Sequence, residues 1–248
     1  MLELKNVTSG YGRVDILKNV NIAFEPGKLT SIIGPNGCGK STLLRTALGM
    51  LPCRCGEVLI DEKNIKGFKT HGLARRVSYL SQERKVPDMT VEELTLHGRF
   101  SHLSYPRIYT DTDRKIARDA MERIGIANLA GAPLSTLSGG MRQSAYIAMI
   151  LAQSSDYVLL DEPLTYLDIS HQLSLMRRLK TLADEGRGIV TVMHDLPLAA
   201  SFSDRVVLMN DGSVIEALPP RELAALPIIE ELFSAKLVCD DGIFSYKY

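Results

Sequence analysis

The chain has 248 residues, 45% hydrophobic and 23% charged, a globular composition that excludes a disordered, collagenous or coiled-coil protein. Its 29 basic residues balance its 29 acidic ones, so no overall field favours a polyanion and nucleic acid is not expected as a partner. The four cysteines, Cys38, Cys53, Cys55 and Cys239, are too few and too clustered for a disulfide framework, which favours a reducing compartment.

Residues 2–7, 20–24 and 29–33 read as short strands, with Glu25-Pro26-Gly27 as a turn before the last, and together predict a small antiparallel β region. A strand, a glycine loop and a helix over 41–48 follow. Apolar runs at 157–160 and 189–193, set between helical stretches, predict a parallel α/β core. Between about 86 and 153 the strand signals vanish. There Thr90-Val91-Glu92-Glu93 has the pattern of a capping box, and Ile116, Ala117, Ala120, Met121 and Ile124 recur at helical spacing within 113–124. The expectation is one domain over 1–248, its core at 1–85 and 154–248, interrupted by a helical subdomain at 86–153. The start MLELKNV carries charge where a secretory signal would be apolar, and no run approaches the roughly 18 apolar residues of a spanning helix. A cytosolic or peripheral protein is expected.

Gly34-Pro35-Asn36-Gly37-Cys38-Gly39-Lys40-Ser41-Thr42 matches G-x-x-x-x-G-K-S between a strand and a helix. Glycines let successive N–H groups converge on phosphate oxygens at a helix N-terminus, Lys40 reaches the β- and γ-phosphates, and Ser41 is suited to magnesium. Farther on, the apolar strand Tyr157-Val158-Leu159-Leu160 ends in Asp161-Glu162, the pattern of a Walker B strand. Asp161 suits metal binding through water, and Glu162 suits a general base or water positioner. Cys38 sits at a helix N-terminus two residues from Lys40, which favours a reactive thiolate, with an inert filler as the other reading. Cys53 and Cys55 read as ordinary loop residues, two thiols being a poor metal site.

A phosphate loop alone does not separate kinases, GTPases, recombinases and transporter ATPases. Leu137-Ser138-Gly139-Gly140-Met141-Arg142-Gln143, before an apolar helix at 145–152, resembles the LSGGQ signature of the ABC-transporter ATPase family, and the resemblance covers nearly the whole chain. It implies a P-loop NTPase fold with a RecA-like parallel sheet, an antiparallel β region and an inserted helical subdomain. It also implies that Tyr11 stacks on adenine, that Gln82 is the Q-loop glutamine sensing magnesium, that Asp168 is the D-loop aspartate, and that His194 is the switch histidine near the γ-phosphate. Two copies would pack head to tail, so that Ser138, Gly139, Gly140 and Asp168 of one serve the ATP of the other. Met141 stands where the signature has glutamine, Ser144 where arginine is common, and Thr165-Tyr166 where the D-loop reads S-A.

Within that family, residues 91–102 resemble the V-x-E-L…G-R-x-P-H pattern, and Leu167-Asp168-Ile169-Ser170-His171-Gln172 the L-D-I-x-H-Q pattern, of ATPases serving iron-siderophore, haem and cobalamin importers; Ser101 replaces the proline. At this length, the long carboxyl-terminal regulatory domain of some sugar and metal importers is not expected. The resemblance implies an ATP- and Mg2+-dependent ATPase at the inner face of the cell membrane. Its partners would be a second copy, transmembrane permease subunits bound through a cleft near residues 86–89 and, indirectly, an external substrate-binding protein. The rivals are an exporter's ATPase, separated by cargo direction, and a soluble ABC protein, which tandem nucleotide domains or a long heptad insert would mark.

Overall fold

In the computed structural model, the described residues are all those of the chain except Glu83, Tyr166 and Tyr248. The chain runs β1 (Leu2–Tyr11), β2 (Val14–Phe24), β3 (Leu29–Ile33), α1 (Lys40–Ala47), β4 (Cys53–Ile60), β5 (Lys63–Asn64), α2 (Thr70–Arg76) and β6 (Val77–Leu80). Three helices follow, α3 (Val91–His97), α4 (Asp111–Ile124) and α5 (Gly139–Ala152). The remainder is β7 (Tyr157–Asp161), α6 (Ile169–Asp184), β8 (Gly188–Val192), α7 (Leu196–Phe202), β9 (Arg205–Asn210), β10 (Ser213–Leu218), α8 (Pro220–Ala224), α9 (Ile228–Phe233), β11 (Lys236–Asp240) and β12 (Ile243–Lys247).

Strands β2-β1-β4-β5 form an antiparallel sheet, and β10-β9-β3-β8-β7-β6 form a second sheet that is parallel except for its β9–β10 edge. The sequence expectation that 29–33 belongs to the antiparallel region is corrected here. All five residues of β3 are buried, and a strand covered on both faces belongs inside a parallel α/β sheet. Period-2 alternation divides that sheet between two cores. Val158, Leu160, Ile189, Val206 and Leu208 face the helical side, while Tyr157, Leu159, Val190, Val207 and Met209 face α1 and the antiparallel sheet.

The expected capping box is present: the Thr90 hydroxyl accepts from Glu93 N–H, and Glu93 accepts from Thr90 N–H. Helix α4 starts two residues earlier than expected because Thr110 and Asp113 form a second such box. Cys53 and Cys55 lie on β4, opposite Ser9 and Thr8 of β1, rather than in a loop; pairing with a neighbouring strand overrides their weak local signal.

No pattern in the sequence drew attention to residues 219–248. They form two short helices and the β11–β12 hairpin, with Phe244 and Tyr246 packed on the helical-side core. The Tyr246 hydroxyl accepts the N–H of Leu196, the first residue of α7, at 3.2 Å, two residues past His194. Replacing Tyr246 by Phe leaves that amide without its acceptor and is expected to cost about 1 kcal/mol. Hydrogen exchange at the Leu196 amide should accelerate; unchanged exchange would remove the hairpin as its anchor.

Candidate nucleotide site

The loop between β3 and α1 is shaped by close approach. A Cβ at Gly34 would lie 2.2 Å from the Met209 carbonyl oxygen and 2.7 Å from Cys38 Sγ, so no larger residue fits. Gly39 caps α1 at φ 105°, in the left-handed region that glycine enters without strain. The loop is also tied to the β9–β10 turn, where Gly212 N–H donates to the Cys38 carbonyl at 3.0 Å. Lys40 Nζ donates to the carbonyls of Gly34 (2.8 Å) and Pro35 (2.9 Å), which puts its ammonium inside the curl of the loop. Asn36 and Gly37 are exposed on the loop's rim, and Thr42 is buried on the inner side of α1.

Of the two readings of Cys38, the structure favours the inert filler over the reactive thiolate. Its side chain is 4% exposed, and burial pushes the thiol pKa up, against the lowering effect of Lys40. Desolvation outweighs the helix terminus and the ammonium.

Asp161 ends β7 at 1% exposure. Its Oδ1 accepts from the Ser41 hydroxyl at 2.9 Å and its Oδ2 from the Tyr79 hydroxyl at 3.0 Å. Burial raises the Asp161 pKa, and these two hydroxyls oppose the rise. Burial also pushes the Tyr79 phenol up to about 12, so it stays protonated and donates. Arg45 donates to the Tyr11 hydroxyl at 3.1 Å and lies near the Tyr79 phenol, while the Tyr11 ring is 46% exposed.

Glu162 follows at φ 50°, a left-handed conformation uncommon for a glutamate. It brings together two of the other residues singled out for catalysis, Gln82 and His194, while Lys40 stays within the phosphate loop. Gln82 Nε2 donates to Glu162 Oε2 at 2.7 Å, and His194 Nε2 stands 2.6 Å from Glu162 Oε1. His194 itself follows β8, where Met193 N–H donates to the Ile32 carbonyl of β3.

The signature residues lie elsewhere. Ser138 caps α5, its hydroxyl accepting the N–H of Met141 at 3.3 Å, and residues 138 and 139 are exposed. A Cβ at Gly140 would meet Leu167 at 3.2 Å. Among the described residues, residues 138–140 make no hydrogen bond to the phosphate loop. Asp168 caps α6, and the His171 N–H, with Ser170 and the His171 ring, holds its carboxyl well below the usual range. Its D-loop neighbour Tyr166 lies outside the described residues.

The contacts of three positions were not anticipated from the sequence. Gln143 donates to the Pro163 carbonyl at 2.6 Å and accepts from Arg84, joining the signature helix to the turn after Glu162. Arg45 was legible as the residue four beyond Ser41 on the same helix face. Tyr79 had no local signal, because its role depends on strand register.

A glycine loop around a lysine, a strand-end aspartate on the helix serine, and a glutamate joined to glutamine and histidine define a P-loop ATPase. Residues 17–165 match the family described as ABC transporter. The ferric enterobactin transport ATP-binding protein FepC of Escherichia coli (strain K12) is 37% identical over 242 residues, 96% of this chain and 89% of that protein. The iron(3+)-hydroxamate import ATP-binding protein FhuC of Bacillus subtilis (strain 168) is 40% identical over 243 residues, 96% and 90% of the two chains. Among solved structures, a dimeric ATP-binding cassette in a post-hydrolysis state with ADP and Pi matches with TM-score 0.78 and 30% identity, over 89% of this chain and 99% of that one. The chain belongs to the ABC transporter family, as one of its ATP-binding ATPases.

The thiol burial gives a direct expectation. A maleimide at neutral pH should label Cys55 and Cys239, both exposed, well before Cys38, as read by peptide mass spectrometry. Cys38 labelling as early as Cys55 would restore the thiolate reading.

Proposed function

We propose that the chain is the ATP-hydrolysing subunit of an importer of iron chelates, working as a head-to-tail pair of copies on the cytoplasmic side of a membrane permease. The observation that carries the chemistry is the Glu162 cluster, in which Gln82 and His194 both reach one carboxylate beside the Ser41–Asp161 pair. The cargo follows the relatives, FepC named for ferric enterobactin transport and FhuC for iron(3+)-hydroxamate import.

The phosphate loop, residues 34–42, would receive the triphosphate on its backbone amides, and Lys40 would exchange its two carbonyl partners for phosphate oxygens. Tyr11, ring exposed and hydroxyl held by Arg45, would stack on the adenine. Ser41, Asp161 and the amide oxygen of Gln82 make an all-oxygen donor set, which fits a small hard cation that keeps several waters. Magnesium, when bound there, would neutralise charge on the transferring phosphoryl group. Glu162 would orient and deprotonate the attacking water, with Gln82 and His194 fixing its two oxygens and His194 also reaching the γ-phosphate.

Ser138, Gly139, Gly140 and Asp168 would act on the ATP of the partner copy, the glycines allowing close backbone approach and the closed pair excluding water. In that scheme residues 86–153 are the helical part of a single 1–248 domain, and the cleft lined by Gln82, Arg84, Val86 and Tyr146 is where the permease docks. An external binding protein would deliver the chelate to the permease. Co-expression with a candidate importer permease in vesicles should give ATP-dependent uptake of a ferric siderophore. Uptake absent with every importer permease, or export instead, would overturn the cargo reading.

Glu162→Gln should keep ATP affinity within about twofold and lower turnover by at least about a hundredfold. Turnover near wild type would exclude Glu162 as the catalytic carboxylate. Ser138→Arg should also lose hydrolysis while a single copy still binds ATP. Mixing the two inactive variants should restore activity, because a mixed pair contains one site with both Glu162 and the partner's signature intact; a mixture that stays inactive would contradict action across the pair.

A further inference from the structure

The buried Asp161 carboxylate has to present one defined edge toward Ser41, and the phosphate loop alone does not fix it. A carboxylate bound through Oδ1 only is free to swing about that bond. The second oxygen is held from another element. Tyr79 lies on β6 opposite Leu159 of β7, and Asp161 is two residues beyond Leu159, so all three side chains leave the same face of the parallel pair. That face is the one on which α1 packs, since Leu159 belongs to the core shared with Leu43 and Leu44. From α1, Ser41 and Arg45 are one turn apart on one face. Ser41 therefore meets Asp161 while Arg45 meets Tyr79.

The ring of Tyr79 packs on the same core, a task phenylalanine would perform equally well. Only the hydroxyl accounts for tyrosine, and it donates to Asp161 Oδ2 at 3.0 Å. Arg45, whose guanidinium donates to the Tyr11 hydroxyl, lies beside the Tyr79 phenol.

We propose that Tyr79 is a positioning residue for Asp161, and that it turns the carboxylate so that its other oxygen serves Ser41 and the metal. The inference rests on the magnesium reading above and adds a residue outside the family's motifs. Ser41 can then leave Asp161 for the cation without releasing the carboxylate.

The test is equilibrium binding of a fluorescent ATP analogue to the full chain, with Mg2+ and with EDTA, for wild type, Tyr79→Phe, Arg45→Gln and Asp161→Asn, each checked by a thermal melt. Asp161→Asn should lose the Mg2+-dependent gain in affinity. Tyr79→Phe should lose about tenfold of that gain, the scale of one hydrogen bond to a charged group, while its affinity in EDTA stays within about twofold. Arg45→Gln should move the same way by less, and it carries the test should Tyr79→Phe not fold. A full gain in both Tyr79→Phe and Arg45→Gln, or equal weakening with and without Mg2+, overturns the positioning role. An undiminished gain in Asp161→Asn removes the metal reading itself and this inference with it; loss there with a full gain in Tyr79→Phe removes only the Tyr79 assignment.

Discussion

The site depends on one hydrogen bond between segments 120 residues apart, from Ser41 on α1 to Asp161 at the end of β7. The strands that launch these residues are not neighbours, because β8 lies between β3 and β7 in the sheet. Helix α1 must therefore cross the sheet face obliquely to reach β7. The sandwich with the antiparallel sheet secures that crossing, burying Leu43, Leu44 and Ala47 between the two layers. The sheet order, the second sheet and the tight turn at Gly34 all serve to hold a hydroxyl against a buried carboxylate.

Next to that bond the chain turns sharply. Glu162 leaves β7 in a left-handed conformation, and Thr165 closes the turn by donating to its carbonyl at 3.1 Å. Backbone strain of this kind persists only where surrounding contacts over-determine it. Here Gln82 from beyond β6, His194 from beyond β8 and Gln143 through Pro163 converge on the turn from three elements. The proposed nucleotide machinery is thus a set of strand ends cross-linked through one glutamate, whereas Ser138 and Gly139 face solvent on α5.

Much of this was legible because each motif pairs chemistry with a local fold. The G-x-x-x-x-G-K-S loop fixed its own strand and helix, Thr90 and Glu93 announced α3, and the Asp161-Glu162 pair announced the end of β7. The errors share a cause, which is that strand partnership is non-local. Residues 29–33 look like any short apolar strand, and only burial on both faces assigns them to the parallel sheet. Cys53 and Cys55 became strand residues through β1. The charge at Cys38 was argued from sequence neighbours, while the packing of β9 against the loop, invisible locally, decides its burial. Tyr79 illustrates the same limit, since its hydroxyl matters only once β6 and β7 are in register.

In the proposed pairing, one copy alone holds an incomplete site. The most direct measurement is the specific rate of ATP hydrolysis across a dilution series, with sedimentation at each concentration to count copies. If copies act in pairs, the specific rate falls on dilution in step with the fraction of paired chain. A specific rate that stays constant down to concentrations where sedimentation finds only single copies would contradict it.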